Sequence, residues 1–255
     1  MEKNIWILDI ETSPLVVLVW RLGKQFVNPG QVIQDWHIMS FSAKRLGAPA
    51  SSMVYMETRN GHDKALCKKL WQIFNEADVL ITQNGVKFDE PMIRARMMLH
   101  GMQPYKPFKH HDTYKENIKA EFTSHSLAYL SSKFCKKYKK LKHKVFEGLS
   151  LWKECLGYKV SFNPNPKAWA EMRKYNNYDV LSDEELYLNT RGWSTKTAPS
   201  MYDGDDRVCR YCGKHSLIKQ TKKFDSTLKK KFYWMQCQST GCGKYQRGAE
   251  VKEAA

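Results

Sequence analysis

Apolar and polar positions fall into blocks along this chain, and the blocks predict an α/β fold. Ile5 to Ile10 is an apolar run rich in β-branched and aromatic residues, closed by Thr12-Ser13-Pro14, and reads as a buried strand. Leu15 to Leu22 and Trp36 to Leu46 read as further strands around a turn at Asn28-Pro29-Gly30, and Ser52 to Glu57 as a fourth. Strands in succession suggest a mixed sheet rather than a pure strand–helix–strand repeat. Asp63 to Ala77 sets Leu66, Leu70, Trp71, Phe74 and Ala77 at helical spacing. Val79 to Thr82 is a short buried strand, Asn84-Gly85 turns the chain, and a helix opens at Phe88 and runs through Leu99 with Pro91 in its first turn. Lys109 to Thr113 reads as a strand end, and Ser126 to Phe134 as a helix capped by Ser124 or Ser126. Asn163-Pro-Asn-Pro166 breaks the chain. Lys167 to Arg191 follows as one or two helices, with Trp169, Met172, Tyr175, Asp179, Leu186 and Tyr187 at three- and four-residue steps.

Two acids interrupt the first apolar run. Asp9 and Glu11 are two apart, so a strand projects both carboxylates from one face. Such a pair repels itself and costs desolvation unless a cation sits between; the plainer alternative is a strand end whose acids face water. Asp89 has two readings, the N-cap of its helix or a third acid brought beside the first strand. Tyr175 and Asp179 are four apart and share a helix face. Alone, that pair carries little weight.

Composition narrows the function classes. With 255 residues, 42% hydrophobic and 13% aromatic, the chain is long enough for one good-sized α/β domain and a small appendage. No segment reaches the roughly 18 apolar residues of a membrane span. The chain enters a strand directly, without a secretory signal, so a cytoplasmic location is expected. Seven cysteines, with Cys67, Cys135 and Cys155 isolated, fit a reducing compartment better than a disulfide framework. A net charge of +16 points to a polyanion partner, and the last 60 residues are the more densely basic part. Seven lysines fall between Lys133 and Lys144, as a solvated face or as a phosphate-contacting rim.

Past Trp193 the pattern changes. Residues 194–206 form a small-residue and polar linker between a first unit, 1–193, and a second, 207–255. The second unit holds Cys209-Arg-Tyr-Cys212-Gly-Lys and Cys237-Gln-Ser-Thr-Gly-Cys242-Gly-Lys, with a strand-like Lys231 to Gln236 before the second pair. Two cysteine pairs, each followed by glycine, look like a zinc ribbon in which four thiolates hold one structural Zn²⁺. So short a unit has too little core to hold without such a staple. Its Lys222, Lys223, Lys230, Lys231 and Trp234 suit backbone attraction with base stacking, though a ribbon equally docks onto a protein such as a replication polymerase.

The motifs Asp9-Ile-Glu11, Asn84-Gly-Val-Lys-Phe88-Asp89 and Tyr175-Asn-Asn-Tyr-Asp179, in this order over roughly residues 1–193, resemble those of the DEDD superfamily of 3′–5′ exonucleases. The second has the form found in family B DNA polymerase proofreading domains, and the third matches the tyrosine subclass. Lys174 stands where the histidine subclass has its histidine. The resemblance implies a ribonuclease H-like mixed sheet flanked by helices. It makes Asp9, Glu11, Asp89 and Asp179 the ligands of two Mg²⁺ or Mn²⁺ ions, chemistry that suits hard oxygen donors. It gives Tyr175 the attacking water, and Asn84 and Phe88 the 3′ end. Asp112 is similar to a family position near the core that is not a ligand. Single-stranded DNA is the favoured substrate, with RNA open. The alternatives are a binding or proofreading subunit of a replication complex and a resolvase-like endonuclease; the complete set of acids argues against a pure binding module, and the Tyr-x₃-Asp pair against the resolvase.

Overall fold

The computed structural model describes residues 4–141, 145–146, 148–158, 164–194, 207–227 and 230–251, with backbone only at 221–223. Its main sheet has five strands in the order β5-β4-β1-β6-β7, namely Val54–Glu57, Ile38–Arg45, Ile5–Thr12, Val79–Thr82 and Lys109–Asp112. β1 pairs antiparallel with β4 and parallel with β6, so the sheet is mixed. The expected α/β fold class holds.

Alternation along β1 decides which residues face which layer. Trp6, Leu8 and Ile10 join one core with Phe41, Leu70, Phe74 and Ile93, under helices α1 (Lys64–Glu76) and α2 (Asp89–Leu99). Ile5 and Ile7 join the opposite core with Val79, Ile81, Val180 and Tyr187, under α6 (Pro166–Thr190). Each fully buried Leu, Ile or Phe contributes roughly 1.5–3 kcal/mol, so the strand is held from both sides. Asp9 and Glu11 continue the odd-numbered series and therefore belong to the α6 side.

α6 is one unbroken helix of 25 residues, about 37 Å long. Asn165 caps it by accepting a hydrogen bond from Lys167 N–H at 3.0 Å, and Pro166 fills the first helical position. Three shorter helices, α3 (Thr113–Asn117), α4 (Leu127–Phe134) and α5 (Ser150–Leu156), complete this layer; only α4, capped by Ser126, was legible from periodicity.

One expectation needs correction, and one of the two readings of Asp89 falls. Leu15 to Leu22 is not a strand: only Val16–Val17 (β2) pairs, with Val32–Gln34 (β3), and residues 18–31 leave the sheet as an exposed arm. An apolar run makes a buried strand only where a neighbouring layer covers it, and none covers this one. Asp89 is not the N-cap of α2. Phe88 holds that position, and Asp89 is the first helical residue, its carboxylate turned to β1.

The C-terminal residues form a separate three-stranded antiparallel sheet, β10-β9-β8, from Tyr245–Glu250, Lys231–Cys237 and Leu217–Ser226. Most of the supposed linker, 195–206, lies outside the described residues.

Candidate active site and cysteine cluster

The carboxylates of Asp9 and Glu11, from the C-terminal half of β1, meet Asp179 of α6, with oxygens of all three within 4.8 Å of one another. The opposing strand makes room: Asp9 pairs with Ser42 and Glu11 with Ser40, both small and fully buried. Their hydroxyls donate to Asn177 Oδ1 (2.7 Å) and Asn176 Oδ1 (3.3 Å), which fastens α6 over the acids. Asn176 in turn donates from Nδ2 to Asp9 Oδ2 at 2.5 Å and to the Asp9 carbonyl at 3.2 Å.

Asp89 reaches the same strand from the other layer. The Ile10 N–H, between the two strand acids, donates to Asp89 Oδ1 at 3.0 Å. The turn that delivers Asp89 is fixed by Asp112, which accepts from Asn84 N–H at 2.9 Å and Val86 N–H at 3.2 Å. Asn84 sits at φ 65°, a left-handed conformation that asparagine tolerates, and a Cβ at Gly85 would lie 2.2 Å from Thr82 Oγ1. Asn-Gly is thus required here by backbone shape. Asp112, expected near the core and not as a ligand, is this turn's anchor.

The electrostatics are those of a site built to hold positive charge. Burial raises every acid, with repulsion from neighbouring acids adding to it at Asp9, Glu11 and Asp89: Asp9 well above its ordinary value, Glu11 to about 8 and Asp89, despite its backbone hydrogen bonds, to about 7. Asp179 is raised too, burial outweighing the neighbouring lysine, and its Oδ1 is buried without a hydrogen-bond partner. That lysine is Lys140. Its Nζ lies 2.5 Å from Asp179 Oδ2 and 4.5 Å from the centre of the Tyr175 ring. Burial alone would lower Lys140, but Asp179, Tyr175 and Asp9 hold it firmly charged. Burial and Asp179 push the Tyr175 phenol above its usual range, so it keeps its proton at neutral pH. An open cleft lined by Gln83, Asn84, Lys87, Tyr114 and Lys140 borders this group.

Sequence reasoning missed Lys140, Asn176 and Asp183. Lys140 was one of seven lysines in a run, with nothing to single it out. Asn176 and Asp183 had a signal: with Trp169, Met172 and Asp179 they lie on the three-four stripe of α6 that faces the sheet. Asp183 accepts a hydrogen bond from Thr113 Oγ1 at 2.5 Å, its Oδ2 is unpartnered, and burial pushes it up to about 8.

The four cysteines also come together. All four sulfurs lie within 4.8 Å of one another, with Cys209–Cys242 at 3.7 Å and Cys212–Cys237 at 3.6 Å. A disulfide needs about 2.05 Å, whereas sulfurs each about 2.3 Å from a tetrahedral Zn²⁺ stand about 3.8 Å apart. Gly213 and Gly243 close the two turns with positive φ. The second turn rests on the end of α6 and the short helical turn that follows it. A Cβ at Gly241 would lie 2.2 Å from the Leu188 carbonyl oxygen, and one at Gly192 would lie 1.9 Å from that of Cys242. A third group, Asp63, Cys67 and His100, is of another kind: Arg96 fills it with a two-pronged ion pair to Asp63, at 2.7 and 2.9 Å.

The proposed substrate residues are less concentrated. Phe88 is exposed at the start of α2, and Asn84 lines the cleft. Lys230 pairs with Glu250 at 2.8 Å, Lys231 lies over the Phe224 ring, and Trp234 is half-buried in β9. The side chains of Lys222 and Lys223 lie outside the described residues.

Residues 7–190 match the RNase_H superfamily, and the chain belongs to it. Among solved structures it is similar to a family B DNA polymerase from the hyperthermophilic archaeon Pyrobaculum calidifontis, with a TM-score of 0.51 and 17% identity over 74% of this chain and 24% of that one. At that identity the likeness concerns the fold, and this chain spans about a quarter of the polymerase. No curated protein matches. Membership and the acid cluster together support a nuclease in general terms. Among the described residues no helix is long and apolar enough to cross a membrane.

Proposed function

We propose that this chain is a metal-dependent 3′–5′ exonuclease, with residues 1–193 as the nuclease unit and 207–255 as a zinc ribbon. The observation that carries the reading is the buried meeting of Asp9, Glu11 and Asp179, with Lys140 as counter-charge, at the edge of an open cleft. The donor set fits hard divalent ions: carboxylates crowded enough to resist ionisation, and a buried Asp179 oxygen with no other partner. Asp9, Glu11, Asp89 and Asp179 would hold two Mg²⁺ or Mn²⁺ ions. When bound, such ions make water nucleophilic and stabilise the leaving oxygen of a phosphodiester.

The chain's own residues do the rest. Asn176 holds Asp9 in one orientation, and the Ile10 N–H holds Asp89. Protonated Tyr175 orients the attacking water by hydrogen bonding rather than by taking its proton. Lys140 offsets part of the negative charge of the site and sits where a phosphate enters. Asn84 and Phe88 grip the 3′ end.

The four-cysteine cluster holds structural zinc, and the lysines and rings of the small sheet grip single-stranded DNA. The likeness to a DNA polymerase favours DNA over RNA. None of the seven cysteines is paired in a disulfide, which agrees with work in a reducing cytoplasm.

The test is digestion of 5′-labelled DNA and RNA oligonucleotides with Mg²⁺ or Mn²⁺. A ladder shortening from the 3′ end, abolished by chelation and by Asp179→Ala, is expected. Products shortened from the 5′ end, or undiminished activity of Asp179→Ala, overturn the reading.

A further inference from the structure

The exposed arm between β2 and β3 is a large apolar feature that neither the sheet nor the acid cluster uses. Trp20 is 101% exposed, Leu22 96% and Phe26 87%, in a protein whose other large side chains are mostly covered. Several large apolar side chains exposed along one short segment mark an interaction site. The arm is also a built element. Leu18 N–H donates to the Gln31 carbonyl at 2.9 Å, and Gln31 Nε2 returns a bond to the Leu18 carbonyl at 2.8 Å. Farther out, Gln25 Nε2 donates to the Arg21 carbonyl at 2.7 Å, and Asn28 N–H to Gln31 Oε1 at 2.9 Å. At its root, Ser13 N–H bonds the His37 carbonyl at 2.9 Å, and Tyr158 bonds Gln34 at 2.8 Å. An apolar tip on a hydrogen-bonded stem is poised to meet something.

Position and charge say what. The arm's stem, β2, begins five residues after Glu11, just past the end of β1 that carries the acid cluster, so it follows directly on the candidate active site along the chain. Between residues 13 and 34 there is no Asp or Glu, while Arg21 and Lys24 stand among the exposed rings. Aromatic rings interleaved with cations suit stacked bases flanked by phosphates. A lipid or a second copy of this chain would also accept apolar side chains, but neither explains why the arm rises at the acid cluster. We propose that the arm is a nucleobase-stacking element: Trp20 and Phe26 stack on bases next to the strand end at the acids, and Arg21 and Lys24 meet the adjoining phosphates. This rests on the nuclease reading and adds a residue-level determinant of substrate grip to it.

The experiment uses the full chain carrying Asp9→Ala, so that binding is measured without cleavage. Single-stranded DNA carries 2-aminopurine at one of its last six positions. Stacking on the arm should quench that fluorescence near the 3′ end. Adding Trp20→Ala and Phe26→Ala should remove the quenching and weaken binding at least about fivefold per ring, the low end for loss of one base–aromatic stack. Trp20→Phe should restore most of both, and Met98→Ala, an exposed apolar change on α2, should alter neither. Full exposure means that these changes leave no cavity, and an unchanged melting temperature checks it. Equal binding and quenching in the double variant overturns the proposal. So does a self-association, seen by sedimentation, that the double variant abolishes, or vesicle binding that it abolishes. The nuclease reading fails separately, if Asp9→Ala alone leaves cleavage intact.

Discussion

The cysteine cluster and the acid cluster reach metal-ready geometry by opposite routes. Cys209 and Cys242 are 33 positions apart and are held by turns of one small sheet. Asp9 and Asp179 are 170 positions apart, and two packed apolar cores hold the strand and the helix that bear them. The small sheet has little interior besides its cysteines, Tyr211 and Leu217. On the proposed reading the order is reversed: the small sheet would need its metal in order to fold, whereas the large one folds on its own cores and presents the acids to a metal.

Breaking the cysteine side should have the largest effect. Binding of structural zinc contributes about 10–16 kcal/mol in small metal domains, more than so small a core can replace. Cys209→Ser, or chelation, should therefore abolish amide protection in β8, β9 and β10 while the β1, β4 and β6 amides stay protected. Hydrogen exchange reads both at once. Loss of protection in both sheets together would make them one cooperative unit and end the contrast.

On the acid side, Asp9→Ala should cut turnover about a thousandfold or more, because a proposed ligand of the catalytic ions would be gone. The Tm of the metal-free protein should hold or rise, since one of several repelling buried carboxylates has been removed. A large fall in Tm would mean that the acids support the fold, as the cysteines do.

Tyr175→Phe should lower kcat by about ten- to a hundredfold with oligonucleotide Kd nearly unchanged, the mark of a contact made in the transition state. Equal losses in both would assign the residue to packing, where it already meets Trp152 edge-on at 6.3 Å.

Outside the cluster, the contrast can be sharpened at Asp183, a buried acid with no proposed metal. Its folded pKa of about 8 stands above the ordinary 3.8, so the folded state holds a proton that the unfolded chain has released. The stability linked to this group is fully present below about pH 4 and is lost as pH rises to about 8. Asp183→Asn should flatten that part of the Tm-versus-pH curve. An unchanged slope would show that the carboxyl is ionised in the fold.

Much of this was legible in the sequence, for reasons the structure makes plain. Asp9, Glu11 and the β6 strand were readable because burial on both faces of a central strand forces a continuous apolar run, against which acids stand out. The cysteine pairs were readable because their geometry is local. The arm was misread because composition alone cannot distinguish an apolar segment that is covered from one that waits for a partner. Lys140 was missed because its role depends on which lysine of a uniform run the fold brings to Asp179, and no local pattern encodes that.

The unbroken α6 also sets a length scale. Asp179 and Leu188, whose carbonyl lies against the second cysteine turn, are nine residues apart on one helix, or about 14 Å along its axis. At the roughly 3.4 Å per nucleotide of a strand stacked as in B-form DNA, one running beside the helix would span that gap with about four nucleotides. On the proposed function the helix would be a ruler: substrates shorter than this would touch the acids alone, and longer ones both sheets. A step in affinity near that length would be the footprint of α6 on the substrate.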